Sequence, residues 1–343
     1  MTTLPTPAFL PKLNPNPNAS PNPKYLINKT PNIHNIKINN WEIETIKKPI
    51  LNGKEIESVE RLLNLPLPEM TFGNNSIKLT YTPSSSSSHL SSTTTDKVEI
   101  KFDSLEALAD VATGEGWEER IGGGVKVSMA DKWSTKTSPN TFSGDSPIPS
   151  KPVKPHDWTF STCYSGSVAG PSSFKSSPTH SIPIALLARQ DPILDRILFY
   201  DDVPLYEDEL HDNGESILNV RIRVMPHSFF ILSRLFLRVD DVLFRIRDVR
   251  IYHEFGSSEI IKEISGMEVS YDQVKKHLDR QSDLSQLTDP NWVNQKMTSI
   301  SLTSTSLESN SKPWPGLGKQ IEVLKLPKND FETIKDELSK VTL

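Results

Sequence analysis

Arginine recurs at alternate positions through one stretch of this chain, at Arg221, Arg223, Arg234, Arg238, Arg245 and Arg247. A guanidinium presents a planar fork of donors that matches a carboxylate or a phosphate two bonds at a time. The chemistry on offer is therefore recognition of acidic groups. Catalysis finds no comparable pattern. There is no G-x-S-x-G elbow to supply a nucleophile, and Cys163 lies in an aromatic run with no signature around it. His253-Glu254 makes half of a zinc-protease motif, but the second histidine is missing. Glu209 to Gly214 (ELHDNG) has the residue types of a calcium loop with the wrong spacing, since Val220 falls where a bidentate glutamate belongs. Asp212-Asn213-Gly214 reads instead as a tight turn. Gly122-Gly123-Gly124 has no strand before it and no GKS or GKT after it, so it is a turn and not a phosphate cradle. No catalytic residue, metal or cofactor is expected.

The arginines must be positioned by strands. Three runs alternate apolar and polar residues: ILNVRIRVM (217–225), FFILSRLFLRV (229–239) and VLFRIRDVRIYHEF (242–255). The turn at Met225-Pro226-His227-Ser228 sets Arg223 opposite Phe230 and Arg221 opposite Leu232. Asp240-Asp241 reads as a two-residue hairpin loop, which sets Arg238 opposite Leu243, Phe236 opposite Arg245 and Arg234 opposite Arg247. On that register Leu218, Val220, Ile222, Val224, Phe229, Ile231, Leu235, Leu237, Val239, Val242, Phe244 and Ile246 share an apolar face. All six arginines share the other, with Phe230, Leu232, Phe236 and Leu243 between them. Like charges facing one another across strands are destabilising, so carboxylates must lie nearby. The internal source is the acidic segment just before the strands, with Asp201, Asp202, Glu207, Asp208, Glu209 and Asp212; the external source is an acidic partner.

Composition narrows the class. Of 343 residues only 35% are hydrophobic and 27 are proline, so part of the chain has too little to bury and disorder is expected there. A net charge of −5 argues against a nucleic-acid-binding domain, although a local basic face survives such an average. The lone cysteine excludes an internal disulfide and suits a reducing cytoplasm or nucleus. The N-terminus lacks the charged start and apolar core of a secretory signal, and no apolar run approaches the length of a membrane span.

Along the chain, residues 1–35 read as a disordered proline- and asparagine-rich tail. Residues 36–282 read as a single α+β domain, an antiparallel sheet core with flanking helices, interrupted by low-complexity loops at 82–97, 134–155 and 169–181. Within it the spacing predicts helices over 53–65, from Ser104 as N-cap, and over 269–281, and an aromatic strand over 156–168. Residues 283–343 read as a mostly disordered tail with a small helical motif at 329–341.

Taken in order, LPEMTFG (67–73), DWTFSTCYSG, YEDELHDNG, VRIRVMP, RLFLRVDDVLFRIRD and RIYHE resemble the TIPRL or Tap-interacting protein family, and the long tail and serine loops look like those of a fungal member. The resemblance covers roughly residues 36–282. It implies a non-enzymatic protein of cytoplasm and possible nuclear residence that binds the catalytic subunit of type 2A protein phosphatases and the Tap phosphatase-associated protein, restraining TOR signalling. It also implies phosphatase contacts around Glu106, Ile182, Ile246 and Ile264, where animal members usually carry aspartate, isoleucine, methionine and tyrosine. Type 2A catalytic subunits end in a short acidic, aromatic tail, which Arg223, Arg245 or Arg247 is then expected to dock. The competing reading is a protein that uses the same arginine face for a phosphate or nucleotide ligand.

Overall fold

The computed structural model describes residues 23–63, 67–83, 97–113, 174–189, 191–193, 195–210, 214–241, 243–304 and 319–327. They form two antiparallel sheets and a few short helices, an α+β arrangement as the sequence predicts. The smaller sheet has five strands: β1 (Tyr25–Lys29), β2 (Ile33–Ile38), β3 (Trp41–Ile46), β5 (Ser76–Tyr81) and β6 (Val98–Asp103), in that order across the sheet. The larger sheet runs in the order β4-β8-β9-β10-β11-β12-β13-β7. Its long strands are β8 (Phe199–Asp208), β9 (Gly214–Val224), β10 (Ser228–Val239), β11 (Leu243–Glu254) and β12 (Glu259–Ser270); β4 (Met70–Thr71), β7 (Lys175–Ser176) and β13 (Gln320–Lys325) complete it. The helices are α1 (Gly53–Leu63), α2 (Ser104–Thr113), α3 (Ile184–Leu187), α4 (Tyr271–Lys275) and α5 (Pro290–Ser304).

One face of each sheet is apolar, and the two faces pack on each other. Ile36, Ile43, Ile77, Leu79 and Ile100 from the small sheet meet Val203, Val220, Ile222, Phe229, Ile231 and Ile251 from the large one. Strand β9 buries every second residue from Gly214 to Val224, the signature of a strand with one face on a core. Each fully buried aliphatic side chain contributes about 1.5–3 kcal/mol, which makes this contact the main source of stability. A buried polar tie crosses it: Asp201 accepts hydrogen bonds from Thr45 and Lys47 and contacts His34 Nδ1 at 2.8 Å.

A second, smaller core lies on the outer face of the large sheet. There α4 and α5 bring Tyr271, Val274, Val293 and Met297 against Phe236, Phe244 and Ile246. This corrects the reading of 283–343 as a mostly disordered tail, since it supplies both α5 and β13. The helix starts in the usual way. Asp289 accepts from the Asn291 N–H at 2.8 Å and Pro290 stands at the first helical position, where its missing N–H is harmless.

Four further expectations shift. Strand β1 and the start of β2 lie within the stretch read as tail, and β7 falls inside the expected loop 169–181. Asp103, not Ser104, caps α2, accepting from the Glu106 N–H at 3.1 Å, while Ser104 donates inward to the Leu205 carbonyl. The helix expected over 269–281 is the five-residue α4, because β12 runs on to Ser270. The expected strand 156–168 with Cys163, the glycines 122–124 and the helical motif 329–341 lie outside the described residues.

β5 and β6 pair from Tyr81↔Val98 to Ser76↔Asp103. The 82–97 segment therefore closes an ordinary antiparallel pair. Loop-closure entropy changes slowly with length, so replacing residues 84–96 by a four-residue turn should alter the unfolding free energy by only about 1 kcal/mol. Urea denaturation of the shortened chain checks this, and a much larger loss would give the segment a packing role.

Candidate functional site

The hairpin between β10 and β11 decides which residues share the arginine face. Val239 pairs with Leu243, so three residues and not two separate the paired ends, and Asp241 takes a left-handed φ of 58°. Aspartate tolerates that conformation better than most residues, and a three-residue hairpin of this kind uses it. The extra residue slips β11 by one against the expected register, which turns each of its side chains to the opposite face. Arg245 and Arg247 now lie opposite Leu237 and Leu235 on the inner face, while Phe244 and Ile246 lie opposite Arg238 and Phe236 on the outer one. The β9–β10 register is as expected, with Arg223 opposite Phe230 and Arg221 opposite Leu232.

The outer face therefore carries Arg221, Arg223, Arg234 and Arg238 from β9 and β10, joined by Arg250 from β11. Arg234 makes a bidentate pair with Asp248, its cross-strand neighbour, at 2.8 and 2.9 Å. Asp248 also receives Arg250 Nη2 at 2.5 Å, and Arg250 reaches Glu263 at 3.0 Å. Lys319 closes this chain of charges on Glu263 at 2.7 Å. Arg221 pairs with Asp202 at 2.8 Å and Arg238 with Asp240 at 3.0 Å. Burial works against the Arg234 charge, but the Asp248 pair outweighs it and raises the guanidinium pKa further.

Most of the carboxylates come from the strands themselves. From the acidic segment before them, Asp202 reaches Arg221 of this face. Asp201 faces the other way. There burial pushes its carboxyl pKa up, and Lys47, Thr45 and His34 more than reverse that, leaving it below the usual value. The partners Asp248, Glu263 and Glu268 lie outside the acidic run, singly within β11 and β12, so no local cluster of charge marks them in the sequence. The signal was their alternation within β11 and β12.

The residues singled out as contacts scatter. Arg245 is buried and bonds Glu268 through Nε at 2.9 Å and Nη2 at 2.5 Å. Arg247 is half-buried on the inner face. Ile246 is buried in the second core, whereas Ile264, opposite Val249, borders the main core on the inner face. Glu106 is exposed on the first turn of α2, 3.7 Å from Lys101, and Ile182 is buried just before α3. Ile246 and Ile264 therefore lie on opposite faces of one sheet, and of the three docking arginines only Arg223 is on the outer face.

Arg223 is also the exception in its bonding. Its Nη2 donates to the Leu187 carbonyl at 3.0 Å and its guanidinium carbon sits 5.9 Å from the Phe230 ring centroid. Its Nε–H is buried and meets no acceptor among the described residues. No carboxylate there comes within ion-pair distance of it.

The half zinc motif resolves as core. His253 packs among Trp41, Phe229 and Phe255 in tilted and edge-on contacts, with ring centroids 5.0, 5.3 and 6.0 Å away, and its Nδ1–H donates to the Glu259 carbonyl at 2.9 Å. Among the described residues no three His, Cys, Asp or Glu side chains gather as metal ligands, and no helix is long and apolar enough to cross a membrane.

A family model described as TIP41-like family matches residues 70–275, from β4 to the end of α4. A TIP41-like protein of Dictyostelium discoideum is 38% identical over 283 residues, which is 79% of this chain and 92% of that protein. The type 2A phosphatase activator TIP41 of Saccharomyces cerevisiae is 38% identical over 279 residues, covering 77% of this chain and 72% of its own length. A human TIP41-like protein is 34% identical over 232 residues, 66% of this chain and 74% of that protein.

Proposed function

Because the chain belongs to the TIP41-like family, we propose that it regulates type 2A protein phosphatases by binding them, with no catalysis of its own. Its direct partner is the phosphatase catalytic subunit, with the Tap phosphatase-associated protein as a second one, and it restrains TOR signalling from the cytoplasm and nucleus. The observation that carries this reading is the extent of the family match, which takes in β8 to β12 and so both faces of the large sheet. Two yeast relatives bear the name type 2A phosphatase activator, one at 38% and one at 28% identity. The charge pattern agrees with a protein partner more than with a phosphate or nucleotide ligand. Five guanidiniums, those of Arg221, Arg234, Arg238, Arg245 and Arg250, already hold carboxylates of the chain, so these arginines are not open to a polyanion.

Purified full chain and purified type 2A catalytic subunit, measured by interferometry, should associate with a Kd of about micromolar or tighter, as expected for a specific regulator. The same preparation alone should release no phosphate from a phosphopeptide, while its addition should change the rate of the phosphatase. Absence of binding would overturn the reading.

A further inference from the structure

At the β7 edge of the large sheet a small polar cluster takes no part in the arginine network. Ser177 follows β7, and its N–H still bonds the Ile321 carbonyl at 2.9 Å. Its hydroxyl oxygen lies 2.6 Å from His180 Nδ1, and His180 Nε2 lies 3.1 Å from a Glu259 carboxylate oxygen. Glu259 is the first residue of β12, and β13 stands between β12 and β7 in the sheet. A carboxylate only accepts hydrogen bonds, so in the neutral ring Nε2 carries the proton and Nδ1 accepts from the Ser177 hydroxyl. The same stretch is open to a large visitor. Ser177 and His180 are half-buried, while Lys175, Ser176, Pro178 and Thr179 are exposed. β7 is an edge strand held through two register pairs, Ser176 with Glu322 and Lys175 with Val323. Among the described residues Ser177 is the one serine followed by proline, which favours an extended backbone at the serine.

We propose that Ser177 is a phosphorylation site for a proline-directed serine/threonine kinase, and that His180 holds the phosphate so as to pin the end of β7 to the start of β12. Transfer from ATP forms the Oγ–P bond, breaks the bond from the γ-phosphorus to ADP and passes the hydroxyl proton to the kinase. The phosphate carries a charge of about −1.5 to −2 near neutral pH, and its dianion offers acceptors only. Nδ1 accepted from the hydroxyl, so to hold the phosphate it must carry a proton of its own. The ring then becomes an imidazolium between two anions, the phosphate and Glu259, with both bonds charge-assisted. Lys175 stands two residues before Ser177, on the same side of the strand by alternation, and adds a positive charge there. An edge held by two strand pairs and a neutral bond thus gains a charged clasp, whose ends lie on the strands to either side of β13.

The test incubates the purified full chain with magnesium ATP and a proline-directed serine/threonine kinase, and locates phosphate by peptide mass spectrometry. Phosphate should appear on Ser177, and Pro178→Ala should abolish it at that position. If Ser177 stays unmodified, whether or not Ser138 and Ser146, which also precede proline, are labelled, the site is wrong. Hydrogen exchange then reads the clasp. Amides of 174–177 and of β13 should exchange slower by about fivefold or more in the phosphorylated chain, as an added charge-assisted bond at a weakly held edge implies. His180→Ala should still accept phosphate but show no slowing. Glu259→Gln keeps the side-chain shape while removing one of the two anions, and it should reduce the slowing even if His180→Ala disturbs the edge by itself. Equal slowing with and without these substitutions would overturn the role of His180, and faster exchange in the phosphorylated chain would mean that phosphate releases the edge and would overturn the clasp.

Discussion

Asp248→Ala should lower the unfolding free energy by about 3–5 kcal/mol, the range for removing one partner of a buried ion pair and stranding the other. The carboxylate is buried and answers two cations, with Arg234 bidentate at 2.8 and 2.9 Å and Arg250 at 2.5 Å. Arg250 keeps Glu263 after the substitution, but Arg234 keeps only a long 3.4 Å contact to Asn291. Its guanidinium is mostly buried, so the stranded charge sets the cost. Urea denaturation of the purified variant gives the value directly, and a loss under about 1 kcal/mol would place the pair among ordinary surface bridges. A companion variant separates the penalty of stranding from the worth of the pair. Arg234→Met with Asp248→Leu removes both charges together and should recover most of the loss, since apolar replacement of a whole buried pair is often close to neutral.

That same pair explains where the sequence could be read and where it could not. The alternation in β9 and β10 is strict enough that a slip of either strand mixes polar with apolar residues, and their pairing follows from the turn at Met225. Between β10 and β11 both candidate registers leave apolar residues on each face, so the pattern alone does not choose. Charge does. The two-residue loop would have set Arg234 against Arg247, whereas the three-residue loop sets Arg234 against Asp248 and lets Arg245 reach Glu268. In the longer loop Asp241 takes a left-handed φ, which aspartate tolerates better than most residues.

Covering elements were harder to read than strands. Helix α5 has polar and β-branched residues over much of its length, a composition close to that of a low-complexity tail. Its signal was the Asp289-Pro290 start followed by Val293, Met297 and Ile300 at helical spacing. Without that helix the outer face reads as one continuous docking surface. With it, Phe244 and Ile246 become core. Glu106, Ile182 and Ile264 carry no local pattern that would gather them, because their placement depends on how the two sheets and α3 pack.

His253 should make stability depend steeply on pH between about 6.5 and 4. Burial against Trp41, Phe229 and Phe255 pushes its pKa down from 6.5 to about 4, and the bond from Nδ1–H to the Glu259 carbonyl only partly opposes this. As pH falls below 6.5 the unfolded chain takes up a proton that the folded chain refuses, so stability declines through this window and is full above it. The difference in pKa corresponds to about 3 kcal/mol by pH 4. Asp201 acts in a separate window. Its carboxyl is held below the ordinary 3.8, so its contribution is present above that value and is lost only as pH falls further. Denaturation midpoints of the unaltered chain and of His253→Phe, taken at pH 7.0, 5.5 and 4.5, distinguish the two groups. The variant should start less stable, having left the Glu259 carbonyl without this donor, yet lose far less between pH 6.5 and 4.5. Equal slopes for the two proteins would mean that acid acts elsewhere.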